Sequence, residues 1–265
     1  MKHAEWIRDA FLATSEAIAS CYNEHQIDGW SENIITNRVM GALKSLGLEI
    51  NWTDKAQKVK WEGYKLRGKA ESTFGDIALV VKIQLAHDAF IEGVAFYEAK
   101  RQFFQPDETP IGFTSIKLEQ LSRIGKSTHA ANILLYDVDR RERTTMASSV
   151  STTFVESLLM QRASLPPGRI LHHYGDFWVR SIANNFIGLN LDFSPAAVSS
   201  IKESVNSLNR PAFVLNASVA MTKLLDLELD NSFIKSADYE HWLKNESLQP
   251  NYDAPRKDDG PKFGP

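Results

Sequence analysis

The stretch GDIALVVKIQLAHDAFIEGVAFYEAK, residues 75–100, decides the fold. Residues 77–83 are almost entirely apolar and rich in β-branched side chains, a pattern typical of a strand that is buried on both faces. Residues 93–100 repeat this pattern, and the segment between the two runs is short enough for an antiparallel hairpin. Because side chains alternate along a strand, Glu98 and Lys100 are expected to share one face of the sheet.

Each predicted strand carries an acidic residue at the open end of this hairpin. Asp76 directly precedes the first strand, and Glu98 lies near the end of the second. Unpaired charge is costly inside a core, so carboxylates at this position need a partner. Two convergent carboxylates suit Mg²⁺, which keeps several waters and completes its coordination with substrate phosphate. The neighbouring Lys100 can orient or help to deprotonate an attacking water and offset charge in the transition state.

This arrangement predicts a site for phosphodiester hydrolysis in which Asp76 and Glu98 bind the metal. The tripeptide Glu98-Ala99-Lys100 would carry little weight alone, because an acidic residue two positions before a lysine arises readily by chance. Its context is more specific: it is the single such tripeptide in the sequence, and it ends the most apolar hairpin. The alternative is a solvated ion pair at the edge of a sheet.

The segments around the hairpin predict an α/β core. Ser31 can cap a helix at residues 32–46, whose apolar residues recur at helical spacing and which Gly47 can end. A second helix is predicted at residues 115–124 and a further buried strand at residues 132–138. This alternation is typical of a mixed central sheet that is flanked by helices.

The remainder of the chain predicts a mainly helical C-terminal extension. The patterns favour helices at residues 152–162, 174–186, 194–208 and 221–227, with a late strand at residues 212–219. We therefore divide the chain into a core at residues 1–145, an extension that packs on it at residues 146–247, and a flexible tail rich in Pro and Gly at residues 248–265.

The pattern formed by Asp76, Glu98 and Lys100 resembles the motif of the PD-(D/E)xK superfamily of nucleases. The resemblance spans about residues 30–140, and Gly75 stands where many members carry a proline. It implies the restriction-endonuclease-like fold, in which a mixed central β-sheet is flanked by helices.

Two further positions match residues that many members of this family carry. Glu32 is similar to an acidic residue on the helix before the sheet, and Gln120 is similar to a polar residue on the following helix. Glu71 is an alternative acid for the site that we rank below Glu32. The catalytic set that the resemblance implies comprises Asp76, Glu98, Lys100, Glu32 and Gln120.

The resemblance also implies a function. We expect a Mg²⁺-dependent nuclease of DNA, in which Mn²⁺ can substitute for Mg²⁺ and endonucleolytic cleavage is favoured over exonucleolytic cleavage; RNA is not excluded as substrate. Bacterial chains of this type are often effectors of restriction or anti-phage defence, controlled by an ATPase or helicase partner and sometimes assembled as homo-oligomers. The alternative is an inactive nucleic-acid-binding or assembly module with the same fold.

A basic segment precedes the hairpin and predicts contacts with phosphate. Residues 55–69 contain six basic residues and one acid, and Lys65, Arg67 and Lys69 alternate as one face of a strand does. The alternative is a solvated edge strand whose lysines prevent aggregation. The predicted nucleic-acid-binding residues are Lys65, Arg67, Lys69, Arg101, Lys117 and Arg123.

The composition excludes several other classes of protein. Hydrophobic residues make up 43% of the chain and charged residues 24%, so disordered and fibrous classes do not fit. A single cysteine excludes internal disulfides and, with no sign of a signal peptide, favours the cytoplasm. No apolar run is long enough to predict a membrane span. The net charge of −3 predicts weak binding to DNA without a partner.

Overall fold

The protein is described from a computed structural model, which covers residues 1–23, 29–67, 76–139, 141–162, 164–207, 210–224 and 227–241. The helices are α1 (His3–Asn23), α2 (Glu32–Ser45), α3 (Leu118–Ser127), α4 (Thr152–Arg162), α5 (Trp178–Phe186) and α6 (Pro195–Ser204), and Ile170–Tyr174 forms a 3₁₀ helix. The strands are β1 (Glu49–Trp52), β2 (Gln57–Leu66), β3 (Ile77–Gln84), β4 (Phe90–Arg101), β5 (Phe103–Phe104), β6 (Pro110–Gly112), β7 (Ala131–Asp139), β8 (Thr144–Ser151), β9 (Asp176–Phe177), β10 (Phe213–Met221) and β11 (Tyr239–His241).

One mixed sheet organises the described residues. Nine of their strands form it in the order β1-β2-β10-β3-β4-β7-β8-β9, with β11 added beside β2. The pairs β10–β3 and β4–β7 are parallel, and the other pairs are antiparallel. The strands β5 and β6 form a separate small ribbon. The predicted α/β class with a large mixed sheet and flanking helices is therefore confirmed.

Helices cover both faces of the sheet. Helices α1, α2 and α5 pack on one face, where Trp6, Trp61 and Trp178 belong to the largest apolar cluster. Helices α3, α4 and α6 cover the other face through smaller clusters that include Ile124 and Ile201. Each strand in the middle of the sheet therefore buries both of its faces, as its continuous apolar sequence requires.

The predicted hairpin and the helix before the sheet are confirmed. Strands β3 and β4 pair antiparallel, with Ile77 opposite Tyr97. Helix α2 begins where predicted, because the Ser31 side chain accepts a hydrogen bond from the Ile34 backbone N–H. Gly47 follows the helix with φ +100°, a left-handed conformation that glycine adopts without strain.

The chain beyond residue 145 does not form the mainly helical extension that we predicted. The predicted boundary falls inside β8, which pairs with β7. Strand β10 is inserted between β2 and β3, with Phe213 beside both Lys65 and Ile77. Residues 144–221 thus complete the central sheet. The prediction was wrong because an apolar run without periodicity does not reveal which distant strands it will pair with.

Smaller differences concern element ends. Helix α3 covers Leu118–Ser127 instead of residues 115–124, and the helix predicted from residue 174 begins at Trp178 after a 3₁₀ turn. Residues 222–224 form a turn where a helix was predicted. The predicted tail at residues 248–265 lies outside the described residues. No helix in the described part of the chain has the length and apolar character needed to cross a bilayer.

Candidate active site

Four elements bring the five predicted catalytic residues together. Asp76 lies directly before β3, Glu98 and Lys100 near the end of β4, Glu32 at the start of α2 and Gln120 in α3. The Lys100 ammonium donates a hydrogen bond to Glu98 Oε1 at 2.5 Å and lies 4.0 Å from Glu32 Oε2. The Gln120 amide also donates to Glu98 Oε1. The resemblance thus identified side chains that form one connected cluster.

The strand register explains why the two carboxyl groups meet. Ile77 is opposite Tyr97, so Asp76 comes opposite Glu98 at the next position along the ladder, on the face of the sheet covered by α3 and α6. Strand β10 fixes the backbone here, because the Phe213 N–H donates to the Asp76 carbonyl at 2.9 Å. The position of Asp76 therefore depends on a strand that comes much later in the chain.

Burial makes this pair of carboxyl groups costly unless a cation or a proton joins them. Glu98 is 0% exposed and Asp76 7% exposed, and among the described residues neither Asp76 Oδ1 nor Glu98 Oε2 has a hydrogen-bond donor. The two groups lie within hydrogen-bonding reach of each other. Such an arrangement fits a hard cation, because each of the two neighbouring carboxyl groups keeps one oxygen without a donor among the described residues.

The remaining coordination of a cation would come from water or substrate. Within the described ranges, no group of three or more His, Cys, Asp or Glu side chains surrounds a possible metal position. Mg²⁺ is commonly bound by one or two carboxylates together with waters and substrate phosphate. Asp76 and Glu98 therefore fit a shared Mg²⁺ site better than a permanent structural metal.

The pKa values of Asp76 and Lys100 are both raised, which favours a neutral Asp76 and a charged Lys100. Burial raises the pKa of Asp76 well above its ordinary value, and the negative charge of Glu98 raises it further. Burial disfavours the Lys100 ammonium, but attraction to Glu98 and Glu32 outweighs this effect and raises the pKa of Lys100. Lys100 is therefore a hydrogen-bond donor at neutral pH. Of the two roles we predicted for it, orienting water is favoured over deprotonating it.

Glu32 stands at the solvent side of this cluster. Its side chain is 18% exposed, and its Oε1 accepts a hydrogen bond of 2.9 Å from the Ser115 hydroxyl. Ser115 lies in the loop before α3, so one contact connects the two helices that supply Glu32 and Gln120. Sequence reasoning missed Ser115, because an isolated serine in a loop carries no periodic or spacing signal.

No protein-family model, curated protein or solved structure matches this chain.

Three of the predicted basic residues lie near the site. Arg123 is one turn beyond Gln120 and borders the same cleft as Asp76. Lys117 is the exposed residue at the start of α3. Arg101 follows Lys100 and is directed to the other face of β4, where its guanidinium lies 4.1 Å from the centre of the Phe103 ring. Burial lowers the pKa of Arg101, and Glu32 partly offsets this effect.

The predicted basic face of residues 65–69 does not join the site. Lys65 shares a face with Phe213 and Ile77, whereas Asp76 and Glu98 lie on the opposite face of the sheet. Arg67 is exposed just beyond β2, at the same end of the sheet, and Lys69 lies outside the described residues. The strand pattern predicted their alternation, but the choice of face depends on β10, which the pattern did not place.

A second polar cluster lies between β7, β8 and the 3₁₀ helix. The Arg169 guanidinium donates to buried Asp137 at 2.5 Å, and His172 Nδ1 is 2.6 Å from the Ser148 hydroxyl. These contacts hold the 3₁₀ helix against the sheet. His172 is buried, whereas the neighbouring His173 is exposed.

Proposed function

We propose that this protein is a Mg²⁺-dependent nuclease with a restriction-endonuclease-like core, in which Mn²⁺ can replace Mg²⁺. The observation that carries the proposal is the buried Asp76–Glu98 pair, in which each carboxyl group keeps one oxygen without a hydrogen-bond donor among the described residues while Glu98 Oε1 binds the Lys100 ammonium. A structural ion pair would need one carboxylate for one lysine. Here a second carboxylate is buried against the first, which is favourable only when a cation or a proton joins the two groups.

Each residue of the site would have a distinct role in the reaction. Asp76 and Glu98 hold the metal, which supplies Lewis acidity and lowers the pKa of bound water. Lys100, fixed by Glu98 and Glu32, donates a hydrogen bond that orients the attacking water and offsets negative charge on the phosphate in the transition state. Gln120 holds the Glu98 carboxylate in position, and Glu32 keeps Lys100 charged.

The substrate and the biological setting follow from charge and from the family resemblance. The proposed substrate is DNA, with RNA as the other polynucleotide that the same chemistry would cleave. A net charge of −3 predicts weak binding by the chain alone, which supports control by a partner or by self-association. We therefore propose a cytoplasmic effector of a bacterial restriction or defence system, controlled by an ATPase or helicase.

Cleavage of plasmid, duplex and single-stranded DNA with Mg²⁺, Mn²⁺ or EDTA tests the proposal. We expect metal-dependent cutting that falls about 10²–10³-fold in Glu98→Gln and in Lys100→Met, because each variant removes a group that acts in the transition state. Glu92→Gln is the matched control: Glu92 lies on the same strand and forms an ion pair with Lys202 away from the site. This variant should retain full activity.

Metal binding separates the two candidate functions if the isolated protein does not cut. A nuclease that waits for its partner should still gain thermal stability with Mn²⁺, and Asp76→Ala should abolish the gain. Neither cutting nor metal-induced stabilisation would favour the alternative of an inactive nucleic-acid-binding or assembly module.

A further inference from the structure

A cleft between α3 and α6 leads from the surface to Asp76. It has a volume of about 300 Å³, and the apolar side chains Phe96, Ile124 and Ile201 form its base beside Asp76. The polar groups along it are Asp76, Arg123, Ser127, Ser200, Ser204 and Ser207, with Glu203 at its rim. Asp76 is thus the one proposed metal ligand that the cleft reaches among the described residues.

The unsatisfied Asp76 oxygen indicates that this cleft receives a ligand. Asp76 is 7% exposed and borders the cleft, while its Oδ1 is buried and has no hydrogen-bond donor among the described residues. A charged group in this position is expected to be completed by something that enters from solvent. The cleft is therefore the path by which a substrate phosphate would approach Asp76 and its bound metal.

The residues that line the cleft can contact both the phosphates and the sugars or bases of one polynucleotide strand. The hydroxyls of Ser204 and Ser207 donate to backbone carbonyls. Ser127, Ser200 and the exposed Arg123 are therefore the side chains that can donate hydrogen bonds to phosphate oxygens. The apolar side chains can contact a sugar or a base. The Glu203 carboxylate accepts a hydrogen bond from Ser199 at 2.9 Å, on the outer side of α6. Phosphate contacts of this kind position a strand without selecting its sequence.

The dimensions of the cleft limit what can reach the metal. Its volume of about 300 Å³ is at the lower end of the range for pockets that take a single small molecule. Helices α3 and α6 rise on both sides of it and contact each other, so the carboxylates lie below the level of the helices. Because Asp76 is buried at a cleft of this small volume, one strand would reach it more readily than a paired duplex, which would have to separate first.

We propose that the α3–α6 cleft binds one unpaired polynucleotide strand, so that this protein cleaves single-stranded or frayed nucleic acid in preference to intact duplex. The proposal rests on the nuclease function proposed above and adds its substrate class. It also supplies a physical reason for a helicase partner, since a helicase produces the unpaired strand that the cleft requires.

Substitution of Ser204 by leucine tests the cleft without changing the carboxylates. Ser204→Leu fills the cleft from α6, and Ser199→Leu places the same side chain on the exposed side of the same helix as the matched control. The probes are a fluorescent single-stranded oligodeoxynucleotide, the same strand in a blunt duplex, and an oligoribonucleotide of the same sequence. Cleavage is measured with Mn²⁺ and binding by anisotropy with Ca²⁺.

We expect the wild-type protein to cleave the single strand at least about tenfold faster than the duplex, and Ser204→Leu to lose at least about tenfold of this activity while Ser199→Leu retains it. The thermal stabilisation of Ser204→Leu by Mn²⁺ should remain, which separates a blocked cleft from a damaged site. The oligoribonucleotide decides whether the strand is DNA or RNA.

Two outcomes would overturn the cleft proposal, and they are distinct from failure of the nuclease proposal. Metal-dependent cutting of strand and duplex at equal rates, or full activity of Ser204→Leu, would overturn the strand preference while the nuclease function stands. If no probe is cut, binding measured by anisotropy decides. The cleft proposal is supported if the wild-type protein binds the single strand more tightly than the duplex and Ser204→Leu weakens this binding. It is overturned if the wild type and Ser204→Leu bind the single strand equally.

Discussion

At the scale of one residue, Asp76 illustrates the energetic cost of burying a carboxyl group that is proposed to bind a metal. Its carboxyl group is buried beside a second carboxyl group, so ionisation without a cation is unfavourable. The folded protein therefore binds the Asp76 proton more tightly than the unfolded chain does. The contribution of Asp76 to stability is fully present below its ordinary pKa of about 3.9 and is lost as the pH rises through its raised folded-state pKa.

Asp76→Asn should therefore stabilise the metal-free protein, because asparagine retains the shape without the charge. The gain in melting temperature over the wild type should be small in acid and should grow as the pH rises towards neutrality. Thermal unfolding in EDTA across this pH range measures the difference. If the variant melts below the wild type at every pH, then hydrogen-bond donors stabilise the Asp76 carboxylate and its burial does not destabilise the fold.

The same substitution should reverse its effect when metal is present. A cation bound only by the folded wild type adds about 2.7 kcal/mol at a concentration one hundred times its dissociation constant. Asp76→Asn should lose most of this gain, since the amide removes one of the two charged ligands. Titration of each protein with Mn²⁺, followed by melting temperature, measures the gain; equal gains in both proteins would contradict a metal site at Asp76.

At the scale of elements, the helices and strands that could be predicted are those whose caps, turns and alternation are encoded by neighbouring residues. The β3–β4 hairpin is short in sequence, and its alternation placed Asp76, Glu98 and Lys100 together before any tertiary contact was known. Helix α2 carried a serine cap and a terminal glycine. Helix α3 has no side-chain cap at Lys117, so its start was predicted three residues too early.

Strand β10 could not be placed from its sequence for a different reason. Its residues 213–220 are all buried, and such a run fits any strand in the middle of a sheet. Its partners in β2 and β3 are far away along the chain, and no local pattern encodes that distance. The same insertion decided the face on which Lys65 lies. The predicted domain boundary also failed because β8, which pairs with β7, was not predicted.

A core substitution in β10 tests the position of this strand. Leu215 is 1% exposed and belongs to the cluster between the sheet and helices α1, α2 and α5. Leu215→Ala should lower the free energy of unfolding by about 2–5 kcal/mol. Leu189→Ala is the matched control at 53% exposure and should cost less than about 0.5 kcal/mol. Urea denaturation compares them; equal values would place Leu215 outside the core.

At the scale of the whole molecule, the described residues behave as one folding unit. The segment after residue 143 supplies β8, β10 and helices α4, α5 and α6, and α5 contributes Trp178 and Phe186 to the largest apolar cluster. A surface for a partner on these elements would therefore belong to the same body as the carboxylate pair. It could influence the site through packed side chains without a hinge between domains.

Truncation after Arg143 should consequently abolish folding, because it leaves β2 and β3 without the strand between them. We expect an aggregated product, or a soluble one without a cooperative thermal transition. Removal of residues 248–265, the predicted tail, is the matched control and should leave the transition unchanged. Circular dichroism and gel filtration of both proteins measure the outcome; a compact, cooperatively melting product after truncation at Arg143 would contradict the single unit.

The hydrogen bond from Phe213 to Asp76 also orders events during synthesis of the chain. Ribosomes release a polypeptide from its N-terminus, so the motif aspartate emerges long before the strand that fixes its backbone. A nascent or prematurely terminated polypeptide therefore lacks the strand that fixes the Asp76 backbone beside Glu98. Under the proposed nuclease function, such an incomplete chain would be inactive, and cutting would begin only after β10 has been synthesised and paired.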